Sequence, residues 1–430
     1  MKTQCSETQL HFKALGGRDV VADFGGGQIA SDGGVLLVAR ADERLHLLER
    51  IAACIRDYRD PRFTEHTPLE LVRQRVYGIV QGYEDLNDHE DLGRDPLLAT
   101  AVGKADPTGQ ARVRERDRGR PLSGKSTLNR LELTPESVAP GNAAWRYKKL
   151  ELDFAAAERV FVEMFLEGRE TAPEEVVLDF DPTDDPVHGH QEGRFFHGYY
   201  DEYCYLPLYI FCGEHLLCAK LRPSNIDASA GALEELQRII AAIREHWPTT
   251  LILIRGDSGF CREAILALSR EGMAWCERNG VHYLLGLGKN ERLLREIEEE
   301  LARAKTQFDA TRKPARVFKD FRYSTLDSWS CERRVVGKAE HLEKGANPRL
   351  VVTSLPPEQA EAKSLYEDVY GARGDMENRI KEQQLCLFAD RTSSTAMRAN
   401  ELCLWFSSVG YTLMTALQRL GLQGTELAPA

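Results

Sequence analysis

Residues 176–183 read Val-Val-Leu-Asp-Phe-Asp-Pro-Thr, an apolar run that closes on acidic residues. Alternation along a β-strand places Asp179 and Asp181 on one face and Leu178 and Phe180 on the other. Two carboxylates side by side at a strand end repel each other, and a bound divalent cation would relieve that repulsion. Taken alone, the segment also fits an exposed strand end or a helix cap.

A second apolar run, Thr250–Ile254, leads into Arg255-Gly256-Asp257-Ser258-Gly259. Ligand and catalytic residues of open α/β sheets gather where strands end at glycine-containing turns, so Asp257 is a candidate site residue. A helix N-cap at Asp257 or Ser258 is the alternative, and one residue can serve both roles.

The segments around these two runs predict a mixed α/β fold. Leu206–Cys212 and Leu216–Leu221 flank a short glycine-containing link, which predicts an antiparallel hairpin. With a helix at Ala228–Trp247, the order β-β-β-α-β-α fits a mixed sheet covered by helices. Further predicted elements are helices at Leu69–Val80, Arg262–Arg270, Glu291–Ala304, Gln359–Phe388 and Ala396–Leu420, and strands at His282–Leu287 and Leu350–Val352.

A third candidate group lies in residues 370–384. At about 100° per residue, one helical face carries Tyr370, Arg373, Glu377, Lys381 and Gln384. Such a stripe suits a surface where a carboxylate holds metal while basic neighbours touch phosphate. A solvated helix face with salt bridges at helical spacing is the plainer alternative.

The chain has 430 residues, 42% of them hydrophobic and 29% charged, and a formal net charge of −11. This balance excludes collagenous, coiled-coil-only, membrane-spanning and wholly disordered proteins. The acidity does not favour a nucleic-acid partner, because phosphate binding requires clustered Lys and Arg. Two segments are basic although the whole chain is acidic. Gln110–Arg130 has seven basic and two acidic residues, and Lys305–Arg349 has eleven basic and six acidic residues. Each predicts a basic surface, the first on an exposed loop.

The ten cysteines form no CxxC pair, which indicates a reducing compartment. The first residues lack the pattern of a secretory signal, and no apolar run approaches about 18 residues. A cytoplasmic protein without a membrane partner is therefore predicted.

Five separated motifs occur in a characteristic order: Asp23-Phe24 with Ser31–Gly34, Gly82–Asp88, Leu178–Thr183, Arg255–Phe260 and Arg373–Glu382. Together they resemble the DDE transposases of bacterial insertion sequences, specifically the thirteen-eighty family. The resemblance implies an RNase H-like catalytic core with a β-rich insertion and an N-terminal α+β DNA-binding region. Its implied boundaries are 1–165 for the DNA-binding and dimerisation region, 170–290 and 355–420 for the core, and 291–354 for the insertion.

The same resemblance implies that Asp181, Asp257 and Glu377 are the catalytic, metal-binding triad. It implies Mg²⁺ as cofactor, with Mn²⁺ as a substitute, for in-line phosphoryl transfer. The implied partners are double-stranded DNA, as terminal inverted repeats and target, and a second copy of the chain in a synaptic complex associated with the nucleoid. Whether Asp179 shares the role of Asp181 stays open. A nuclease that cuts without joining and a catalytically silent DNA-binding descendant of a transposase are the alternatives.

Candidate DNA contacts come from two segments. Related transposases carry Tyr-x2-Arg-x3-Glu-x6-Lys, which maps onto Tyr370, Arg373 and Glu377 but meets Gln384 where Lys is expected. Lys381, on the same helical face, is the hypothetical substitute. The basic segment adds Arg112, Arg114, Arg116, Arg118, Arg120, Lys125 and Arg130 as backbone contacts, with a solvated loop as the alternative.

Overall fold

The computed structural model of the protein describes residues 9–15, 17–23, 32–132, 149–261, 272–326, 328–421 and 424. Residues 24–31 of the first motif and the helix predicted at Arg262–Arg270 therefore lie outside the described residues. The chain forms two compact units, Met1–Val160 with Glu382–Ala430, and Phe161–Lys381. Residues 382–430 thus belong to the first unit and residues 355–381 to the second; the domain boundaries implied by the resemblance stay a prediction.

The first unit is mainly helical. Its N-terminal elements are β1 (Gln9–Leu15), β2 (Arg18–Asp23), α1 (Val35–Leu45), α2 (Leu47–Ala53), β3 (Ile55–Asp57), α3 (Pro68–Val80), α4 (His89–Leu92), α5 (Pro96–Val102), α6 (Lys125–Glu132) and β4 (Leu150–Leu152). Strands β1 and β2 pair antiparallel, as do β3 and β4. Helix α7 (Phe154–Glu167) follows and runs from the first unit into the second.

Helix α3 confirms the helix predicted at Leu69–Val80. Thr67 caps it, because its hydroxyl accepts a hydrogen bond from the Glu70 amide at 3.2 Å while the Glu70 carboxylate accepts one from the Thr67 amide at 2.8 Å. This reciprocal capping satisfies two backbone donors that the first turn would otherwise leave without partners.

The second unit is built on one large sheet. Its elements are β5 (Glu175–Pro182), β6 (Asp185–Pro186), β7 (Phe195–His197), β8 (Glu202–Tyr205), β9 (Leu208–Cys212), β10 (His215–Lys220), α8 (Ala232–His246), β11 (Leu251–Gly256), α9 (Met273–Arg278), β12 (His282–Leu287), α10 (Glu291–Glu296), α11 (Glu298–Thr311), β13 (Ala315–Tyr323), β14 (Arg333–Leu342), β15 (Gly345–Ala346), β16 (Arg349–Thr353), α12 (Ala362–Ser364) and α13 (Gly374–Leu387). Helix α13 continues into the first unit, which ends with α14 (Met397–Gly421).

Eight strands cross this sheet in the order β10-β9-β5-β11-β12-β16-β14-β13, and β15 pairs with β14. Strands β5, β11 and β12 are parallel, and the other neighbours pair antiparallel. The predicted hairpin is confirmed as β9 and β10. A mixed α/β fold is therefore present, and the carboxyl ends of β5 and β11 lie side by side.

The predicted β-rich insertion begins with two helices. A single charged helix was expected at Glu291–Ala304. Instead the helix is interrupted at the buried residue Ile297, and α11 then continues to Thr311. Strands β13, β14 and β16 do not form a sheet of their own. Because β16 pairs with β12, the insertion extends the central sheet at that edge.

The long helix predicted at Gln359–Phe388 is interrupted. The short helix α12 is followed by a π-helical turn at Leu365–Tyr370 and a 3₁₀ turn at Gly371–Arg373 before α13 starts. A change of helical type rotates the side chains on either side of it, and such irregular turns are frequent at functional sites. No described helix is both long and apolar enough to cross a bilayer.

The contact between strands β5 and β11 provides a stability test. A Cβ atom on Gly256 would lie 2.6 Å from Cζ of Phe180, a fully buried ring. We therefore expect Gly256→Ala to lower the free energy of unfolding by about 1–3 kcal/mol, measured by urea denaturation. Gly288→Ala is the control, because nothing lies within 4 Å of its added Cβ. Equal unfolding midpoints for the two variants would contradict this packing.

Candidate active site

The parallel register of β5 and β11 brings two predicted acids together. Phe180 is paired with Gly256, so the next residues along the two strands are Asp181 and Asp257. The Asp257 carboxylate accepts a hydrogen bond from the Gly259 amide at 2.8 Å, at the start of a 3₁₀ turn. Asp257 therefore stabilises the turn in the way that the capping alternative predicted, and it keeps its place at the strand end.

Asp179 has a different environment from Asp181. Its two carboxylate oxygens accept hydrogen bonds from Nε and Nη2 of Arg255, both at 2.6 Å, and both residues are buried. Burial raises the pKa of Asp179, while the Arg255 guanidinium opposes that shift. Since Arg255 occupies both oxygens, Asp179 acts in this structure as the partner that fixes β5 to β11.

Arg373 joins the first and third predicted acids. Its Nη1 lies 3.3 Å from Oδ2 of Asp181, and its Nη2 lies 2.7 Å from Oε1 of Glu377. The Arg373 and Asp181 side chains are each 15% exposed, whereas Glu377 is 46% exposed. One guanidinium thus bridges residues that are far apart in the sequence, and Arg373 and Glu377 form an i,i+4 ion pair.

The electrostatics of Asp181 reflect this crowding. Burial is the main cause that raises its pKa to about 7, and the negative charges of Asp257 and Glu377 add to the shift. Arg373 opposes them, and the same acids raise the pKa of the Arg373 guanidinium. Burial together with neighbouring like charge is the pattern found at functional carboxylates.

A glycine makes room for Tyr370 at this site. A Cβ atom on Gly286 would lie 2.6 Å from the Tyr370 hydroxyl and 2.6 Å from the Ser258 amide nitrogen. Burial raises the pKa of Tyr370, and Arg373 opposes that shift. Gly286, at the carboxyl half of β12, therefore allows the tyrosine to reach the turn that carries Asp257.

The donors fit a hard divalent cation in their chemistry, since Asp181, Asp257 and Glu377 offer carboxylate oxygens. The Arg373 guanidinium between two of them already provides positive charge at that place. Within the described ranges, however, no group of three or more His, Cys, Asp or Glu side chains is arranged to hold a metal ion. Two of the carboxylates that would surround a cation, those of Asp181 and Glu377, contact the Arg373 guanidinium in this structure.

The residues predicted to bind DNA in Gln110–Arg130 fall into two classes. Arg112 donates to Glu65 at 2.9 Å, and Arg120 donates to Glu90 at 3.0 Å, so both stabilise the first unit. The exposed members are Arg114, Arg116, Arg118, Lys125 and Arg130. The expectation of a continuous exposed loop is wrong, since α6 starts at Lys125 and its Leu128 is fully buried.

The basic segment Lys305–Arg349 is partly neutralised. Five of its bases form ion pairs with acids: Arg316 with Glu340 and Glu367, Lys319 with Glu300, Arg333 with Glu277, Arg334 with Asp320, and Lys338 with Glu340. The charge count alone therefore overstated this surface. On α13, Lys381 is exposed and Gln384 is half-buried.

Sequence reasoning missed the role of Arg255. Arg255 belongs to the motif Arg255–Phe260, but the motif alone predicted no function for it. The available signal was an arginine inside an otherwise apolar strand, because a buried guanidinium requires a buried acceptor. Asp179, the acid of β5 that is paired with Arg255 in the sheet, would have been the candidate acceptor.

Comparison with known families gives a match over most of the chain. The model of the family described as transposase DDE domain group 1 matches residues 12–430. A search of curated proteins found no significant match.

The buried pair provides the second test. We expect Arg255→Ala to lower the free energy of unfolding by about 3–5 kcal/mol, because it leaves the Asp179 carboxylate buried without its partner. Arg295→Ala is the matched control, since its pair with Glu291 is exposed, at 72% and 91%; we expect a change within about 0.5 kcal/mol. Similar urea midpoints for the two variants would contradict the structural role of Arg255.

Proposed function

The chain belongs to the transposase DDE domain group 1 family, and from this we propose that it binds the terminal inverted repeats of an insertion sequence, cleaves the DNA at the element's ends and joins those ends to a target. Asp181, Asp257 and Glu377 are the catalytic residues in this proposal. The family implies phosphoryl transfer on DNA. The cut-and-paste course and the residue roles are our proposal.

The bridge formed by Arg373 carries the proposal. Three acids from two strand ends and a helix have to meet for this chemistry, and Arg373 contacts two of them while the β5–β11 register supplies the third. A salt-bridged solvated helix face, the plainer alternative for residues 370–384, would not contact a buried acid on β5. Asp181 is such an acid, at 15% side-chain exposure.

An RNase H-like core is the proposed architecture of the second unit. The strands β5, β9, β10, β11 and β12 are numbered one to five here in chain order. Across the sheet they lie in the order third, second, first, fourth, fifth. Only the second, β9, runs antiparallel to the other four. Asp181 lies at the carboxyl end of the first of these strands, and Asp257 directly follows the fourth. This arrangement supports the core that the sequence resemblance implies.

We propose that the three carboxylates hold Mg²⁺, or Mn²⁺ in its place. When bound, the metal would activate a water or 3′-hydroxyl nucleophile and stabilise the leaving oxygen of an in-line displacement. The chain's own residues orient these groups. Arg373 positions Asp181 and Glu377 and offers its guanidinium to a phosphate oxygen. The Tyr370 hydroxyl lies beside Gly286, as does the backbone of the turn that follows Asp257.

The proposed DNA contacts outside the acids are the exposed bases of the first unit and the helix face at Lys381. Arg112 and Arg120 are not among these exposed bases; they are partly buried and pair with Glu65 and Glu90. A homodimer is proposed because joining requires that two element ends be held together. The site of action is the bacterial cytoplasm, on nucleoid DNA.

Two other functions remain as alternatives. A nuclease without joining activity would release cut ends but leave no strand-transfer joints, so the products distinguish it from a transposase. A silent DNA-binding descendant would produce neither. The presence of all three acids, two of them joined by Arg373, favours a catalytic protein over that descendant.

Removal of each acid tests the proposed roles. We expect Asp181→Asn, Asp257→Asn and Glu377→Gln to reduce end cleavage by at least about a hundredfold, because each removes charge stabilisation from the transition state. Asp375→Asn is the matched control, since this exposed carboxylate lies two residues before Glu377. Purified variants with native circular dichroism would be assayed on labelled end DNA with Mg²⁺. Full cleavage by any of the three variants would exclude that residue from the site.

Salt dependence tests the DNA contacts. We expect Arg114→Ala, Arg118→Ala and Lys381→Ala each to reduce the slope of log affinity against log salt by about one, because each removes one phosphate contact. Arg295→Ala, also an exposed arginine, should leave the slope unchanged. Fluorescence anisotropy with end DNA gives the measurement. A variant that binds like the wild type would remove that residue from the proposed contacts, and for Lys381 would end its role as substitute for the expected lysine.

A further inference from the structure

An exposed pair of aromatic rings lies on the short ribbon formed by β7 and β8. Phe196 is paired directly with Tyr203, and their ring centroids are 5.6 Å apart at an interplanar angle of 73°. The Arg194 guanidinium lies 4.4 Å from the centre of the Tyr203 ring. Phe196 is 52% exposed and Tyr203 is 48% exposed. We refer to Arg194, Phe196 and Tyr203 as the aromatic platform.

The ribbon under the platform is well anchored. The buried Tyr205 donates its hydroxyl to the Glu192 carbonyl at 2.6 Å. Ser224 accepts from the Phe195 amide at 3.2 Å and donates to the Phe195 carbonyl at 2.9 Å. The backbone of both strands is therefore fixed, and binding on the exposed rings would cost little conformational entropy.

The platform belongs to the segment that directly follows the first acid. Strand β5 ends just beyond Asp181, and β6, β7 and β8 lie between it and β9. The turn of the ribbon carries Tyr200, whose pKa is raised first by burial and then by the charges of Asp184, Asp181 and Asp257. Acids of the proposed site are thus within electrostatic reach of the ribbon turn.

We propose that the aromatic platform stacks unpaired nucleobases of the DNA strand that enters the site. Aromatic rings bind bases of any sequence through their π-faces, and an arginine adjacent to a ring adds cation–π and phosphate contacts. A DNA end has to separate locally for one strand to reach the acids, and bases held on the platform stabilise that separated state. This inference rests on the proposed function.

The charged group that stacks on these rings is a cation, which favours a nucleic acid over a protein on this surface. The Arg194 guanidinium lies over the Tyr203 ring, and by strand alternation Glu202 lies on the opposite face of β8 from Tyr203. A cation beside exposed aromatic rings complements a phosphodiester strand with unstacked bases.

Photocrosslinking on the wild-type chain tests the platform without any variant. Single-stranded oligodeoxynucleotides containing 5-iododeoxyuridine would be irradiated with the protein in the absence of metal, and crosslinked peptides mapped by mass spectrometry. We expect crosslinks at Phe196 or Tyr203 with single strands and with duplexes that have unpaired terminal nucleotides. Crosslinks that avoid both rings would overturn the proposal.

Binding affinities of variants provide a second, quantitative test of the platform. We expect Phe196→Ala and Tyr203→Ala each to weaken binding of a single-stranded oligodeoxythymidylate about tenfold, while Phe196→Tyr, which keeps a ring, binds normally. Phe63→Ala is the matched control, because Phe63 is 81% exposed and also lies beside an arginine, with Arg62 at 5.6 Å from its ring. Equal affinities of Phe196→Ala, Tyr203→Ala and the control would contradict the platform.

Failure of the platform and failure of the proposed function give different results. If the wild type cuts and joins end DNA but its crosslinks and affinities do not involve the rings, only the platform is excluded. If it neither cuts nor joins end DNA, the proposed function fails whatever the rings bind. Conversion of a dimer to a monomer by Phe196→Ala, with crosslinking and oligonucleotide affinity unchanged, would assign the surface to a second copy of the chain and overturn the proposal.

Discussion

The parallel pairing of β5 with β11, fixed by the buried ion pair between Asp179 and Arg255, is the constraint on which the candidate site depends. The pair costs desolvation, but its bidentate geometry satisfies both carboxylate oxygens. It sets the register, and the register then places Asp181 beside Asp257 at the strand ends. A slip of one residue would turn the acids to opposite faces of the sheet.

Arg373 depends on that register and completes the cluster. A carboxylate as buried and crowded as Asp181 is unfavourable without a cation, and in this structure the guanidinium supplies that charge. The irregular turns ahead of α13 deliver Arg373 and Tyr370 to the sheet edge, where the absence of a side chain at Gly286 leaves space for the tyrosine. In the proposed function the same arginine both positions the acids and contacts a phosphate.

Local pattern predicted the strands, the β9–β10 hairpin and helix α3, because apolar periodicity and capping residues act over a few positions. It also marked the three acids. It could not find the contact between Asp179 and Arg255, or the edge at which the insertion strands join the sheet, since both depend on pairing between distant segments. The π-helical turn was missed because ideal helical spacing was assumed for residues 370–384.

The net charge of −11 is compatible with a DNA-binding protein once the ion pairs are known. Five of the eleven bases of Lys305–Arg349 pair with acids, whereas Arg114 and Arg118 are exposed, so these two arginines are candidates for phosphate contacts. The central claim is that this chain joins DNA through one site of three acids. The most direct measurement incubates the purified protein with Mg²⁺, end DNA and a target plasmid, and sequences the products. The account predicts junctions between the element's ends and the target that disappear with EDTA; cut ends without any junction, or no reaction at all, would contradict it.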